Sequence, residues 1–405
     1  MRLATLSAAS ILAFSLSVLA VPFQQDQDLL QNDPFARRLI SFSEGQSQWM
    51  NEEQIFGLYR SNTKFIDITD GDMDSITFFQ ASTTTKKDYP SLLSQQSKVT
   101  PIIDAISQDG MKQFLTSFSG FKTRYFRSSS GIESSKWLQT QVQDLADSHG
   151  RNDVSLSVKQ FKHSWGQASI IARFEATGSA KDENAQDIIV ISAHQDSVNQ
   201  FNPWFGRSPG ADDDGSGSTT IFEVLTRLLK SDFVPNRPVE FHWYSGEEGG
   251  LLGSQKVVAD YMKRKVDVYA NFHNDMTGYQ PKNKKPVIGI STDFVDPKLS
   301  TFLQHIVEGY SSISWAPTKC GYACSDHATW NKAGVPTVFT FEAPFADHSP
   351  YIHTSDDTVE HIDFGHMAEF VKSVIGFTVE LSLYGFISFN HFRARSLLLQ
   401  ISVYC

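Results

Sequence analysis

The sequence places residues that can bind a metal ion directly after a predicted buried strand. Residues 187–192 form a nearly continuous apolar run, typical of a central strand covered by helices on both faces, and His194 and Asp196 follow it. In open α/β sheets, ligands bind at the carboxyl ends of strands. A histidine and an aspartate at this spacing can act as a metal ligand and as the carboxylate that orients its ring. Alone, the pair is at least as consistent with a buried structural histidine.

A run of three carboxylates, Asp212, Asp213 and Asp214, lies between glycines and ahead of a predicted helix at 219–229. Adjacent carboxylates repel one another, and a bound cation would neutralise this repulsion. The small neighbouring residues would let the backbone turn sharply around the ion. The alternative is a solvated acidic turn that caps the following helix.

Two adjacent glutamates, Glu247 and Glu248, follow a predicted strand at 239–244. Neighbouring side chains at a strand end point in different directions. One carboxylate can therefore hold a metal while the other faces the substrate cleft as a general base. A surface loop could also carry two glutamates, but the apolar strand before them and the glycines after them disfavour this alternative.

Two further stretches, 271–277 and 350–358, each offer one metal ligand, Asp275 and His353. Taken singly, these two residues would be a solvated carboxylate and a surface histidine. The five candidate ligands together comprise two imidazoles and three carboxylates, a nitrogen and oxygen set that suits zinc without thiolates: His194, Asp213, Glu248, Asp275 and His353. If Asp213 bridges, two ions could polarise a scissile carbonyl and acidify a shared water.

The elements that would position these residues alternate between helices and short apolar strands. The pattern predicts helices at 113–123 and 134–148 and strands at 169–176, 187–192, 239–244, 287–290 and 337–341. Such alternation indicates an α/β sandwich.

The N-terminus has the layout of a signal peptide. Arg2 precedes a mostly apolar run at 3–19, and Ala20 closes it. A buried core helix or a membrane anchor is the alternative, but the run is short for a membrane span. We therefore expect a signal peptide at 1–20 and a secreted, extracellular protein that is not held in a membrane.

The rest of the chain divides into three predicted parts. Residues 21–87 indicate a propeptide and linker, because the stretch ends in a Ser/Thr-rich segment with the basic pair Lys86-Lys87. The alternative is a small N-terminal subdomain that stays attached. A catalytic domain would follow at 88–381. Residues 382–405 form a C-terminal extension of unknown role, either an amphipathic helix or a gene-model artefact.

Composition sets limits on partners and compartment. The 405 residues are 40% hydrophobic with a formal net charge of −10, which suits one or two globular domains and provides no basic footprint for nucleic acid. Cys320 and Cys324 are close enough to form a small disulfide loop in an oxidising compartment. Reduced thiols or an incomplete zinc site are the alternatives. The state of Cys405 is not predicted.

The ordered motifs resemble those of secreted co-catalytic zinc aminopeptidases, and of fungal-type leucine aminopeptidases in particular. They are His-x-Asp, Gly-Ala-Asp-Asp-Asp-Gly-Ser-Gly, Glu-Glu-x-Gly-x-Leu-Gly-Ser, Asp-Met-Thr and Ile-His-Thr-x-x-Asp-Thr, and the similarity covers about 88–381. The resemblance implies a three-layer α/β sandwich with a central mixed, mostly parallel β-sheet flanked by helices.

The resemblance also implies a role for each candidate residue. Two zinc ions would each have a histidine and a carboxylate of their own and would share one further carboxylate: His194 with Asp275, Glu248 with His353, and Asp213 as the bridge. Glu247 would be the general base, and Asp196 would orient His194. The Asp213–Asp214 bond becomes a candidate cis peptide.

Two more features follow from the resemblance. The segment Cys-Gly-Tyr-x-Cys-Ser-Asp-His matches 320–327, which implies a Cys320–Cys324 disulfide and places Tyr322 beside the substrate. Five further residues look similar to positions that line an apolar pocket suited to Leu, Phe or Met: Met276, Phe339, Phe341, Phe345 and Ile352. Without the resemblance these residues would be predicted to lie in an ordinary core.

The expected activity is removal of apolar N-terminal residues from peptides with free N-termini, by a monomeric enzyme that carries two zinc ions per chain. Residues 21–87 would then act as an intramolecular chaperone or inhibitor of a zymogen. The rival enzymes are a one-zinc glutaminyl cyclase and a metallo-carboxypeptidase on the same fold. A secreted binding protein without catalysis is disfavoured, because all five ligands and Glu247 are present.

Overall fold

The computed structural model describes residues 37–73, 87–181, 187–322 and 324–385. The predicted signal peptide at 1–20 lies outside the described residues. So does the predicted C-terminal extension from residue 386 onward, including Cys405.

The N-terminal part, residues 37–73, forms a small unit with its own sheet. Three antiparallel strands have the order β2-β1-β3, and one helix connects the second strand to the third. Their bounds are β1 (Arg38–Ser43), β2 (Gln46–Met50), α1 (Glu52–Arg60) and β3 (Ile66–Asp67). Asn51 caps α1, because its side chain accepts a hydrogen bond from the backbone N–H of Gln54 and the Gln54 side chain accepts one in return.

The remaining strands of the described residues form one eight-stranded sheet with the order β10-β9-β11-β8-β6-β7-β5-β4. Their bounds are β4 (Val154–Phe161), β5 (Ser169–Ala176), β6 (Asp187–His194), β7 (Val239–Tyr244), β8 (Asp267–Asn274), β9 (Val287–Ser291), β10 (Ser314–Thr318) and β11 (Thr337–Phe341). Strand β6 pairs in parallel with β7 and β8, as do β8 with β11 and β9 with β10. The pairs β4–β5, β5–β7 and β9–β11 are antiparallel. The predicted mixed, mostly parallel sheet is confirmed.

Helices cover both faces of this sheet. Their bounds are α2 (Gln96–Asp104), α3 (Gln108–Phe118), α4 (Ser129–Ser148), α5 (Gly215–Lys230), α6 (Leu252–Arg264), α7 (Pro297–Tyr310), α8 (His327–Lys332) and α9 (Phe364–Leu383). Side chains alternate between faces along a strand. Accordingly, Ile189 and Ile191 of β6 join one apolar core with α3, α5, α7 and α9, while Ile188 and Val190 join another with α6 and α8. The fold is the predicted three-layer sandwich.

Several element boundaries differ from the predictions. The helix predicted at 113–123 begins five residues earlier, where Ser107 caps it by accepting a hydrogen bond from Gly110, and it ends at Phe118. The helix predicted at 134–148 begins at Ser129, after the capping residue Ser128. The last helix, α9, continues through Leu383, so its final residues belong to the predicted C-terminal extension.

Strand β8 was not predicted, although it leads directly to Asp275. It carries Asn271, His273 and Asn274, which are polar but fully buried. Ser192 on the neighbouring strand β6 hydrogen-bonds Asn271 and His273. A buried strand that carries polar side chains shows neither a continuous apolar run nor a simple alternation, so the pattern misses it.

Within the described residues, no helix is both long enough and apolar enough to span a bilayer.

Gly253 fixes the turn that carries the two adjacent glutamates. It lies in the first turn of α6, and a side chain there would collide with the backbone carbonyl oxygen of Ser245, at the end of β7. We expect Gly253→Ala to lower the free energy of unfolding by about 1–3 kcal/mol, because neither backbone segment can move without disturbing the sheet. Chemical denaturation of the full chain measures this.

The matched control is Gly57→Ala in α1, where an added methyl would meet no atom within 4 Å. Alanine is the better helix former, so this variant should keep or slightly raise stability. Equal denaturation midpoints for the two variants would contradict the proposed close approach at Gly253.

Candidate metal centre

The carboxyl ends of the central parallel strands bring the five predicted ligands together. His194 is the last residue of β6, Asp275 directly follows β8, and Glu248 lies in the turn after β7. Asp213 precedes α5, and His353 lies in the loop between β11 and α9. The strand ends meet at one edge of the sheet, as expected for ligand sites in α/β sheets.

Asp213 lies between the two histidines. Its Oδ1 is 3.2 Å from His194 Nε2, and its Oδ2 is 3.0 Å from His353 Nε2. Burial would raise the pKa of Asp213, but hydrogen bonds from both histidines outweigh this effect and lower it far below its ordinary value. One carboxylate thus presents an oxygen to each side of the site, as a bridging ligand must.

The remaining two carboxylates each stand beside one histidine. Asp275 Oδ1 is 3.5 Å from His194 Nε2, and Glu248 Oε2 is 3.2 Å from His353 Nε2. The ligand atoms form two groups that share Asp213, and within each group all lie within 4.8 Å of one another. The two groups contain the residue pairs that the resemblance assigns to each zinc ion, with Asp213 in both.

The residues fit zinc. Glu248 Oε1 and Asp275 Oδ1 are buried carboxylate oxygens without a hydrogen-bond donor. Buried carboxylates without partners are costly, and a bound cation satisfies them. Each group offers one imidazole nitrogen and two carboxylates, and zinc binds both kinds of ligand.

Glu247 belongs to neither ligand group and lines the cleft next to them. Burial raises its pKa well above the ordinary value. His194 opposes this rise, whereas the nearby carboxylate of Asp326 adds to it. A carboxyl group that holds a proton more readily than usual is suited to general acid–base work near neutral pH.

Asp196 links two of the ligand-bearing loops. Its Oδ1 and Oδ2 accept hydrogen bonds from the backbone N–H groups of Glu247 (3.1 Å) and Glu248 (3.2 Å). Its Oδ1 also lies 3.6 Å from His194 Nδ1, close to but beyond an ordinary hydrogen bond. In this structure its firmest contacts position the adjacent glutamates.

Asp214 holds two more ligand loops together, a role that the sequence interpretation did not assign. Its Oδ2 accepts a hydrogen bond from the backbone N–H of His194 (3.0 Å). Its Oδ1 accepts a hydrogen bond from the backbone N–H of Gly217 (2.8 Å), and this bond caps α5. The same oxygen accepts a second bond from the backbone N–H of Met276 (3.1 Å), next to Asp275. The Asp213–Asp214 bond is cis. The alternative of a solvated acidic turn is wrong, because all three aspartates are buried, but its helix cap is present: Asp213 faces the other candidate ligands and Asp214 caps α5.

Asp357 anchors the bridging aspartate and was not singled out as a site residue, although the His-Thr-x-x-Asp motif contains it. Its two carboxylate oxygens accept from the backbone N–H groups of Asp212 (2.9 Å) and Asp213 (3.1 Å). It is buried, whereas its neighbour Asp356 is exposed.

An apolar cluster borders the ligands and contains five of the six predicted pocket residues: Met276, Phe339, Phe341, Phe345 and Ile352. Cys320 and Cys324 belong to it and form the predicted disulfide. Met276 and Ile352 directly adjoin the ligands Asp275 and His353. His348, not predicted from the sequence, also lines the cleft and stacks on Phe345.

Tyr322 lies apart from this cluster. Its ring packs edge-on against Phe294, and its hydroxyl is 2.8 Å from Ser41 Oγ in the N-terminal unit.

Replacement of Asp357 should weaken metal binding although Asp357 is not itself a candidate ligand. Asp357→Asn substitutes an amide donor for one of the two acceptors that hold the bridging loop. We expect a 10- to 100-fold loss of zinc affinity, on the order of the effect of changing residues behind a metal ligand. Competition with a chelator measures it. Asp356→Asn is the adjacent control and should stay within about twofold of the wild type. Equal chelator resistance of both variants would rule out the anchoring role.

Comparisons with known proteins agree with this geometry. Residues 170–378 match Peptidase family M28. Leucine aminopeptidase 1 of Emericella nidulans is 42% identical over 353 residues, covering 85% of this chain and 88% of that protein. The crystal structure of the Legionella pneumophila LapA aminopeptidase has a TM-score of 0.72 at 28% identity, covering 88% and 96% of the two chains. LapB of the same organism has a TM-score of 0.73 at 27% identity, covering 86% and 99%. The chain therefore belongs to peptidase family M28, as a zinc-dependent aminopeptidase of the fungal leucine aminopeptidase type.

Proposed function

We propose that this aminopeptidase is secreted, binds two zinc ions and removes apolar N-terminal residues from peptides with Glu247 as the general base. The observation that carries the proposal is the pair of ligand groups that share Asp213, with Glu247 and an apolar pocket beside them. All five candidate ligands come from one chain, so the proposed site needs no second copy, and we propose a monomeric enzyme. A one-zinc glutaminyl cyclase would not need the second group.

The mechanism assigns each step to groups of this chain. Zinc bound at the two groups would polarise the scissile carbonyl and lower the pKa of the attacking water. Glu247 accepts a proton from that water and donates it to the nitrogen of the leaving amine. Its place in the cleft beside both ligand groups lets one carboxylate take up the proton and pass it on.

The substrate is oriented by two contrasting surfaces. The apolar cluster around Phe341 and Phe345 takes the side chain of the first residue. The free α-amine lies against the carboxylate-rich ligand groups, so a blocked N-terminus binds poorly. Secretion is supported by the N-terminal pattern and by the Cys320–Cys324 disulfide, which suits an oxidising compartment.

Glu247→Gln separates proton transfer from metal binding. We expect the variant to retain both zinc ions and to lose about 10²- to 10⁴-fold in kcat on a leucine anilide, because the amide cannot accept the proton. Metal analysis of the same preparation checks retention. Acetyl-leucine anilide is the substrate control and should resist even the wild type. Near-native turnover by the Glu247→Gln variant would remove Glu247 from the mechanism.

We also propose that residues 21–87 are an inhibitory propeptide, as in a zymogen. The described part packs over the cleft: Tyr59 donates a hydrogen bond to the backbone oxygen of Glu248 (2.7 Å), and Leu58 and Lys64 line the cleft. Residue Lys87, at the predicted boundary, is held by Asp187 (3.1 Å) and Asp267 (2.8 Å) on the catalytic sheet. Because these ion pairs attach Lys87 to the catalytic sheet, we place the proposed processing site at or before Lys87.

Cleavage of the full chain tests the inhibitory role. A site for a sequence-specific protease is placed within 74–86, and activity on a leucine anilide is measured before and after cutting. We expect activity to rise on cutting and to fall again when a separate 37–73 peptide is added, since the same contacts form in trans. Full activity of the uncut chain would refute inhibition.

A further inference from the structure

The apolar pocket next to the candidate metal centre already holds a lysine side chain. Lys64 reaches it from the N-terminal unit, and its Nζ lies 3.3 Å from Cys324 Sγ and 3.6 Å from Cys320 Sγ. The same ammonium lies over the ring of Phe345, 4.7 Å from its centroid. Both cysteines and Phe345 belong to the cluster that borders the ligands.

No acidic side chain accounts for this position. In the part of the chain that the structure describes, no carboxylate oxygen lies within 4.0 Å of the Lys64 ammonium. The contacts of the cation are the aromatic face of Phe345 and the two disulfide sulfur atoms. An aromatic face attracts a cation through its quadrupole, and sulfur is a weak acceptor. The aliphatic stem of lysine is compatible with apolar walls.

Lys64 lines the same cleft as Met276 and Phe341, where the first residue of a substrate is proposed to bind. Met276 and Ile352 of the same cluster directly adjoin the ligands Asp275 and His353, so a side chain in the cluster lies beside the reacting groups. The pocket wall contacts a lysine side chain of the N-terminal unit. The same wall can therefore contact the lysine side chain of a bound peptide.

We propose that the pocket accepts lysine as well as apolar residues, and that the enzyme removes N-terminal lysine from peptides. This inference rests on the proposed aminopeptidase function and extends its substrate class. Phe345 is the residue that would allow lysine to bind, because its ring provides the cation–π contact with the ammonium. A pocket selective for Leu, Phe or Met alone would reject the ammonium.

The test compares three anilides on the full chain after cleavage within 74–86: leucine, norleucine and lysine. Norleucine has an unbranched apolar side chain and lacks the ammonium. We expect kcat/KM for lysine to lie within about tenfold of that for norleucine, since cation–π attraction offsets part of the cost of transferring the cation from water. Lysine hydrolysis more than about 100-fold slower than that of norleucine overturns the inference and leaves the aminopeptidase function intact. Failure on all three substrates overturns both.

The Phe345→Leu variant tests whether the aromatic ring of Phe345 is what allows lysine to bind. The substitution keeps an apolar wall and removes the aromatic face, so we expect kcat/KM for lysine to fall about 2- to 30-fold relative to leucine. Phe341→Leu is the matched control, because Phe341 lies in the same cluster but the cation–π contact of Lys64 is with Phe345. Loss of the Phe341 ring should therefore change kcat/KM for lysine and for leucine equally. An unchanged lysine-to-leucine ratio in Phe345→Leu would contradict the role of the ring.

Discussion

The site is built around the Asp213 carboxylate, which contacts two histidines at the edge of the central sheet. It is buried, and so are the neighbouring carboxylates of Glu248 and Asp275. Several negative charges at short distance in a dry environment are expensive unless cations or hydrogen-bond donors compensate them. The two histidines compensate them on one side, where zinc would also bind, and backbone N–H groups do so on the other.

Backbone N–H donors connect the loops around the metal centre to one another. Asp196, Asp214 and Asp357 each accept hydrogen bonds from main-chain groups beside the ligands, and together they link the ends of β6, β7 and β8 to the start of α5. A fixed main chain keeps the ligands in position before metal arrives. The close approach of Gly253 to Ser245 serves the same end on the glutamate turn.

The sequence predicted a set of candidate ligands that the structure brings together, whereas it missed several of the elements around them. The dense apolar strands β6, β7 and β11 were predicted almost to the residue, because burial on both faces leaves a plain signal. Strand β8 was missed because its buried Asn271 and His273 are polar and hydrogen-bond Ser192 on the neighbouring strand, a contact that no local pattern encodes. The anchoring role of Asp357 depends on a partner 144 residues away and required the tertiary structure. The small sheet at 38–67 was likewise hidden, since its polar β2 resembles a linker.

Anomalous X-ray diffraction at the zinc edge, from crystals of the metal-loaded protein, shows whether two ions share Asp213. We expect two anomalous peaks. One should lie at coordination distance from His194 and Asp275, the other from Glu248 and His353, and Asp213 should contact both. A single peak at one group, or peaks that Asp213 does not contact, would show that the proposed two-ion centre is wrong.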